Sequence, residues 1–243
     1  MDVAPEIYEN IMADFRASVT EDKELNRLAK KIANNKGTQS DVTKLTQRFG
    51  VHSSDALKKN LILADLPDEK LYWNIAEKTI KPLLEQCYGN INRYAGIQLA
   101  GTDQRANIAV RILRGQGPEV RIDQVMNFAV NSLTQPELDN ALTDPVIAAN
   151  RKFYDDFQKA NAQLREDLGL KEMVVRQYDD VGLHNGKDTC EWCLQRAGTW
   201  DYSEARENGV FERHPGCGCT IEVYTEKGTN RQTDWTTNTW EMQ

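Results

Sequence analysis

The chain has 243 residues with 37 acidic against 30 basic side chains, a formal net charge of −7, and its length allows one large core or two small ones without disulfides throughout. That balance argues against a general electrostatic grip on nucleic acid, because non-specific binding to phosphate needs lysine and arginine to displace counterions. No apolar run approaches the ~20 residues that a membrane-spanning helix requires, and the opening MDVAPEIYENIMADF carries acids where a secretory leader is basic, so the expectation is a soluble protein made in a reducing cytoplasm.

From residue 5 to 34, Ile7, Ile11, Phe15, Leu25, Leu28 and Ile32 recur mostly at three, four and seven, which puts them on one or two helical stripes that Gly37 closes. Val42, Leu45 and Phe49 predict a second, short helix stopped by Gly50, and Ser54 reads as the N-cap of a stretch beginning at Asp55. His52 then falls in a loop with no partner in view. Pro67 followed by Asp68 and Glu69 suits a helix start. Leu71, Ile75, Ile80, Leu83, Leu84 and Cys87 continue an apolar face that Pro82 would kink, and Cys87 on that face reads as an inert core residue. Helical patterns resume over 104–113 and 122–133 with RGQGPE between them as a candidate hinge, and Arg105, Arg111 and Arg114 read as a solvated face of the first.

The clearest helix has Asp144 as N-cap, Pro145 at its first position, Gly169 as its left-handed stop, and a buried stripe of Ile147, Phe153, Phe157, Leu164 and Leu168. Beyond it MVVRQYDD is rich in β-branched residues, LHNGKD offers an Asn-Gly turn, and TIEVYT alternates at period two. The expected fold class is α+β, mainly α. It comprises a helical body over 1–115, further helices over 116–169 with a long one from about 145, a β-rich Cys/His metal-binding module over 170–228, and a Trp-containing tail over 229–243.

Four of the five cysteines lie in that module, as Cys190-x-x-Cys193, then 20 residues, then His214-x-x-Cys217-x-Cys219. Two cysteines two residues apart turn a knuckle that aims both thiolates at one point, and a second knuckle about 20 residues on closes a tetrahedron of the kind zinc prefers. Five donors compete for four places: Cys190, Cys193 and Cys219 are the firmer ones, with His214 and Cys217 contending for the last. Two disulfides, or simply free thiols, are the alternatives, and a small module poor in aliphatic side chains favours the metal staple in a reducing compartment. A site rich in soft donors suits a structural ion, whereas catalytic zinc keeps a position open for water. The order of ligands is also the reverse of the zinc deaminase signature, and no histidine follows His214 to serve as a nuclease base.

The long helix, the short strand with an arginine (VVRQYDD), DTCEWC, RAGTW and RHPGCGCTI together resemble the C-terminal region of tailed-phage minor head proteins, the Mu F-like or phage head morphogenesis family. The resemblance covers residues 145–225 through Cys190, Cys193, Gly198, His214, Pro215, Cys217 and Cys219, with Gly218 standing where the family often carries arginine. It implies a portal-associated minor capsid protein of a bacteriophage virion, a viral structural protein present in few copies inside the head. Its expected role is head assembly or DNA packaging and ejection, without enzymatic turnover. The partners so implied are the portal and/or major capsid protein, with packaged DNA as a further candidate and no membrane, in the host bacterial cytoplasm and then the virion.

Two other classes compete. A zinc-stapled nucleic-acid-binding or regulatory module is opposed by Asp188, Glu191, Glu204 and Glu207 beside few arginines. A phage-associated enzyme or toxin-like effector has little chain left after Cys219 to hold it. In the tail, Trp235 and Trp240 have little aliphatic company, so they either fold back on the zinc module or serve as partner-binding anchors.

Overall fold

A computed structural model describes residues 3–178, 190–214 and 217–226. Helices dominate, and a small antiparallel sheet follows them, as an α+β, mainly α chain requires. The first stripe divides into α1 (Ala4–Glu21) and α2 (Lys23–Ala33) at Asp22, whose carboxylate accepts from the Leu25 amide at 2.9 Å and so caps α2. Next comes α3 (Gln39–Asn60), opened by a capping box between Thr38 and Asp41.

That helix corrects three expectations. Gly50 does not stop it: a Cβ there would sit 3.0 Å from the Ile147 backbone, so the glycine serves a close helix crossing and not a C-cap. Ser54 lies buried inside the helix instead of capping one. His52 is helical too, with Nε2 2.7 Å from Asp22 Oδ2.

Pro67 opens only a short 3-10 turn, and the helix proper, α4 (Trp73–Ala106), begins beyond it and continues through Pro82. It ends at left-handed Asn107, so the expected helix over 104–113 is mostly loop, and Arg111 and Arg114 share no helix with Arg105. That loop is held by side chains that replace backbone partners: Asn161 bonds both the N–H and the C=O of Leu113, and Asn92 accepts from the Gly115 amide at 2.8 Å. RGQGPE is therefore anchored between helices, and Gly115 has the Phe157 backbone 2.9 Å from where a Cβ would be.

The remaining helices are α5 (Glu119–Val130), α6 (Gln135–Ala141) and α7 (Asp144–Asp167). Helices on both sides of residue 115 share one apolar core, from Ile11, Phe15 and Leu28 through Leu83 and Cys87 to Phe153 and Phe157. Burial pushes the Cys87 thiol up to about 12, as suits an inert core residue. Thr143, not Asp144, is the N-cap of α7, and Leu168 is exposed, because the helix has already turned its face to solvent there. Its end is a Schellman motif at Gly169 (φ 82°), with Leu170 N–H bonded to Arg165 C=O and Gly169 N–H to Glu166 C=O.

The C-terminal module contains β1 (Glu172–Gln177), a single turn α8 (Glu191–Leu194), β2 (Gly198–Asp201), α9 (Tyr202–Glu207) and β3 (Thr220–Thr225). Strand order is β2-β1-β3, both pairs antiparallel, with Val174 opposite Trp200 on one side and Val223 on the other. Its own small core gathers Val174, Tyr202, Ala205, Val210, Phe211 and Ile221 around Ala162 of α7. The Asn-Gly turn expected in LHNGKD lies outside the described residues.

Candidate metal centre

Helix α7 positions the module through a face that hydropathy does not register. Asn150, Arg151, Lys152, Asp155, Gln158, Asn161 and Arg165 are all buried, and most reach the backbone or a charge of the module or a neighbouring helix. Arg151 donates to the Cys217 carbonyl, Lys152 Nζ to the Phe211 carbonyl at 2.9 Å, and Gln158 Nε2 to the Ile221 carbonyl at 3.1 Å. Asp155 takes a two-point bond from Arg213, whose Nη1 also donates to the Cys219 carbonyl at 2.6 Å. On the outer edge of β3, Gln39 of α3 both accepts from the Val223 amide at 2.7 Å and donates to its carbonyl, acting as a surrogate strand.

These contacts hold the cysteine turns. Cys190 is the residue before α8 and Cys193 lies within it, so the Cys-x-x-Cys knuckle is the first turn of that short helix. The Cys190 amide donates to the Tyr178 hydroxyl at 3.1 Å. His214 and Cys217 are joined by a turn hydrogen bond of 3.1 Å, and Cys219 leads into β3. Pro215 and Gly216 lie outside the described residues.

The five expected donors come together as two overlapping triads, Cys190–Cys193–His214 and Cys193–Cys217–Cys219, each with its donor atoms within 4.8 Å of one another. Cys193 belongs to both. His214 Nε2 lies 2.9 Å from Cys193 Sγ and 3.3 Å from Cys190 Sγ, and Cys193 and Cys217 Sγ are 3.8 Å apart. The last distance matches the ~3.8 Å sulfur–sulfur edge of a tetrahedron with metal–sulfur bonds of ~2.3 Å, and all five cysteines of the chain are free thiols.

The donor set fits a metal ion, because sulfurs this close cannot all ionise without a cation among them. Burial, with Cys217 alongside, pushes the Cys193 thiol up to about 11. Its hydrogen bond to Cys219, and then burial, pushes Cys217 up to about 12. The same bond, helped by Arg176 against the effect of burial, brings Cys219 down to about 7. A bound ion would displace the remaining protons. A cleft of about 310 Å³ between α5 and α7, lined by Val125, Phe128 and Lys152, opens beside His214.

Three further residues complete the surroundings, and motif spacing did not mark them. Trp192 stands edge-on to the His214 ring at 5.4 Å, with the Arg196 guanidinium over its own face at 3.9 Å. The Arg213 side chain is 6% exposed, and although burial opposes its charge, Asp155 outweighs that and holds it above the usual arginine value. Arg176 is almost wholly buried and donates through Nη2 to the sulfurs of Cys193 and Cys217. A signal for it was present: Glu172 and Arg176 share the parity of the core residue Val174 on a six-residue strand, so both charges had to face inward.

Trp235 and Trp240 lie outside the described residues, and no described helix is long and apolar enough to cross a membrane. No protein-family model, curated protein or solved structure matches this chain.

Proposed function

We propose that the chain is a minor head protein of a tailed bacteriophage, of the Mu F-like head morphogenesis kind, and that its Cys/His cluster holds a structural zinc ion. The observation that carries this reading is an ordered arrangement. A Cys-x-x-Cys turn follows the central strand, a His214-x-x-Cys217-x-Cys219 segment leads into the last strand, and both converge beside a long helix. Zinc is the ion that such a sulfur-rich, tetrahedral donor set favours. Cys190, Cys193 and Cys219 are the first three ligands, and His214 or Cys217 is the fourth.

A clasping role, and not turnover, follows from the donors. Cys193, Cys217 and Cys219 are buried, so the ion's work is to join the strand ends and the knuckle into one unit on α7. In that role the module presents a fixed surface to the portal or capsid protein inside the head.

Two measurements test the reading. Purified under reducing conditions, the protein should contain close to one zinc per chain. Co-expressed with the portal and major capsid proteins of neighbouring genes, it should sediment with portal rings or assembled heads; recovery only as free protein overturns the assignment to the head.

A further inference from the structure

The most unusual charge in the molecule is Arg176. A guanidinium keeps its proton under all ordinary conditions, yet this side chain is 1% exposed. Among the described residues no carboxylate lies within 4.0 Å of it. Nη1 donates to the Val210 and Glu212 carbonyls at 2.6 and 2.7 Å, and the Cζ atom is 5.1 Å from the centre of the Trp192 ring. Those contacts solvate the cation without neutralising it. Among the described residues, the groups beside it that can carry negative charge are the sulfurs of Cys193 and Cys217, at 3.6 and 3.5 Å from Nη2, together with Cys219, whose thiol it helps to bring down. Arg213, which also reaches the cluster, already has its charge met by Asp155.

An isolated buried charge costs several kcal/mol even after relaxation, so the fold tolerates Arg176 only against a negative centre. We propose that Arg176 is the built-in counter-charge of the metal centre, its guanidinium set against the sulfurs of Cys193 and Cys217. A divalent ion held by three or more thiolates carries net negative charge, and a buried guanidinium against those sulfurs offsets it. The inference rests on the metal reading above and goes further, assigning a positioning residue outside the ligand set.

The test is a titration of the reduced full-length chain with cobalt(II), competed against a chromophoric chelator, for wild type, Arg176→Met and Arg176→Lys. Circular dichroism of the metal-free proteins checks that each is folded. Wild type should bind one cobalt with thiolate-to-cobalt charge-transfer absorption. Arg176→Met should bind roughly 10–100-fold more weakly, the usual loss when a partner behind the ligands is removed. Arg176→Lys should stay within several-fold of wild type, although lysine cannot reproduce the fork onto the Val210 and Glu212 carbonyls. Equal affinity for wild type and Arg176→Met overturns the counter-charge. Equal losses for Met and Lys assign the residue to geometry alone and overturn it as well. No cobalt uptake by wild type removes the metal centre and this inference together, a result distinct from the other two.

Discussion

Glu172 is wholly buried at the start of β1, where the module meets the helical body. Burial pushes its carboxyl up to about 7, and neither the 2.5 Å bond from Thr225 nor Arg165 at 4.0 Å offsets this fully. Arg165 is committed to Asp103, itself raised by burial. A carboxyl whose folded pKa lies above its unfolded one adds stability that is complete below pH ~4.5 and lost as pH rises through about 7. Ionised Glu172 therefore costs the folded state up to ~3 kcal/mol in mildly alkaline solution. Glu172→Gln should have nearly wild-type stability at pH 5 and exceed wild type at pH 8, read as denaturant midpoints at the two pH values. Equal differences at both would assign the effect to packing.

At the scale of elements, α7 is the axis on which everything else is hung. Its apolar residues Phe153 and Phe157 enter the helical core, Ala162 enters the core of the module, and its buried polar residues reach across to the loop and strand backbone. The crossing with α3 is close because Gly50 has no side chain to separate the backbones. Gly50→Val should destabilise the protein by about 1–3 kcal/mol, since overpacking a close contact forces the backbone to shift. In thermal melts this is a fall of several degrees for a chain of this size. An unchanged melting temperature would mean that the helices separate at no cost.

For the whole molecule, the two cores make different demands. The helical body buries a continuous apolar interior from Ile11 to Phe157, whereas the module has a handful of core side chains and the Cys/His cluster. If the cluster holds an ion as proposed, removing it with a chelator, or replacing Cys193, the donor common to both triads, should raise hydrogen exchange throughout β1, β3 and the cysteine turns while α1 to α6 keep their protection. Loss of protection in α4 at the same rate would show that the ion supports the entire fold. The tail carries a separate prediction. Truncation after Lys227 should leave the melting temperature unchanged and abolish entry into assembled heads if Trp235 and Trp240 are partner anchors. Earlier melting, or normal assembly, contradicts that role.

Local rules were sufficient wherever one residue does one thing. Gly169 marks a helix end by its own chemistry, the β-branched run in MVVRQYDD and the alternation in TIEVYT announce strands, and the spacing of Cys190, Cys193, His214, Cys217 and Cys219 announces a site that the fold does gather. Where a residue's role is set by a partner far along the chain, the same rules misread it. Gly50 looks like a stop and is a crossing point, His52 looks idle and pairs with Asp22, and the polar letters of α7 look solvated and are buried. The physical reason is that hydropathy reports what a side chain prefers against water alone. The burial of Arg151, Asp155, Gln158 and Arg176 depends on carbonyls, carboxylates and sulfurs that only the tertiary structure brings within hydrogen-bonding distance.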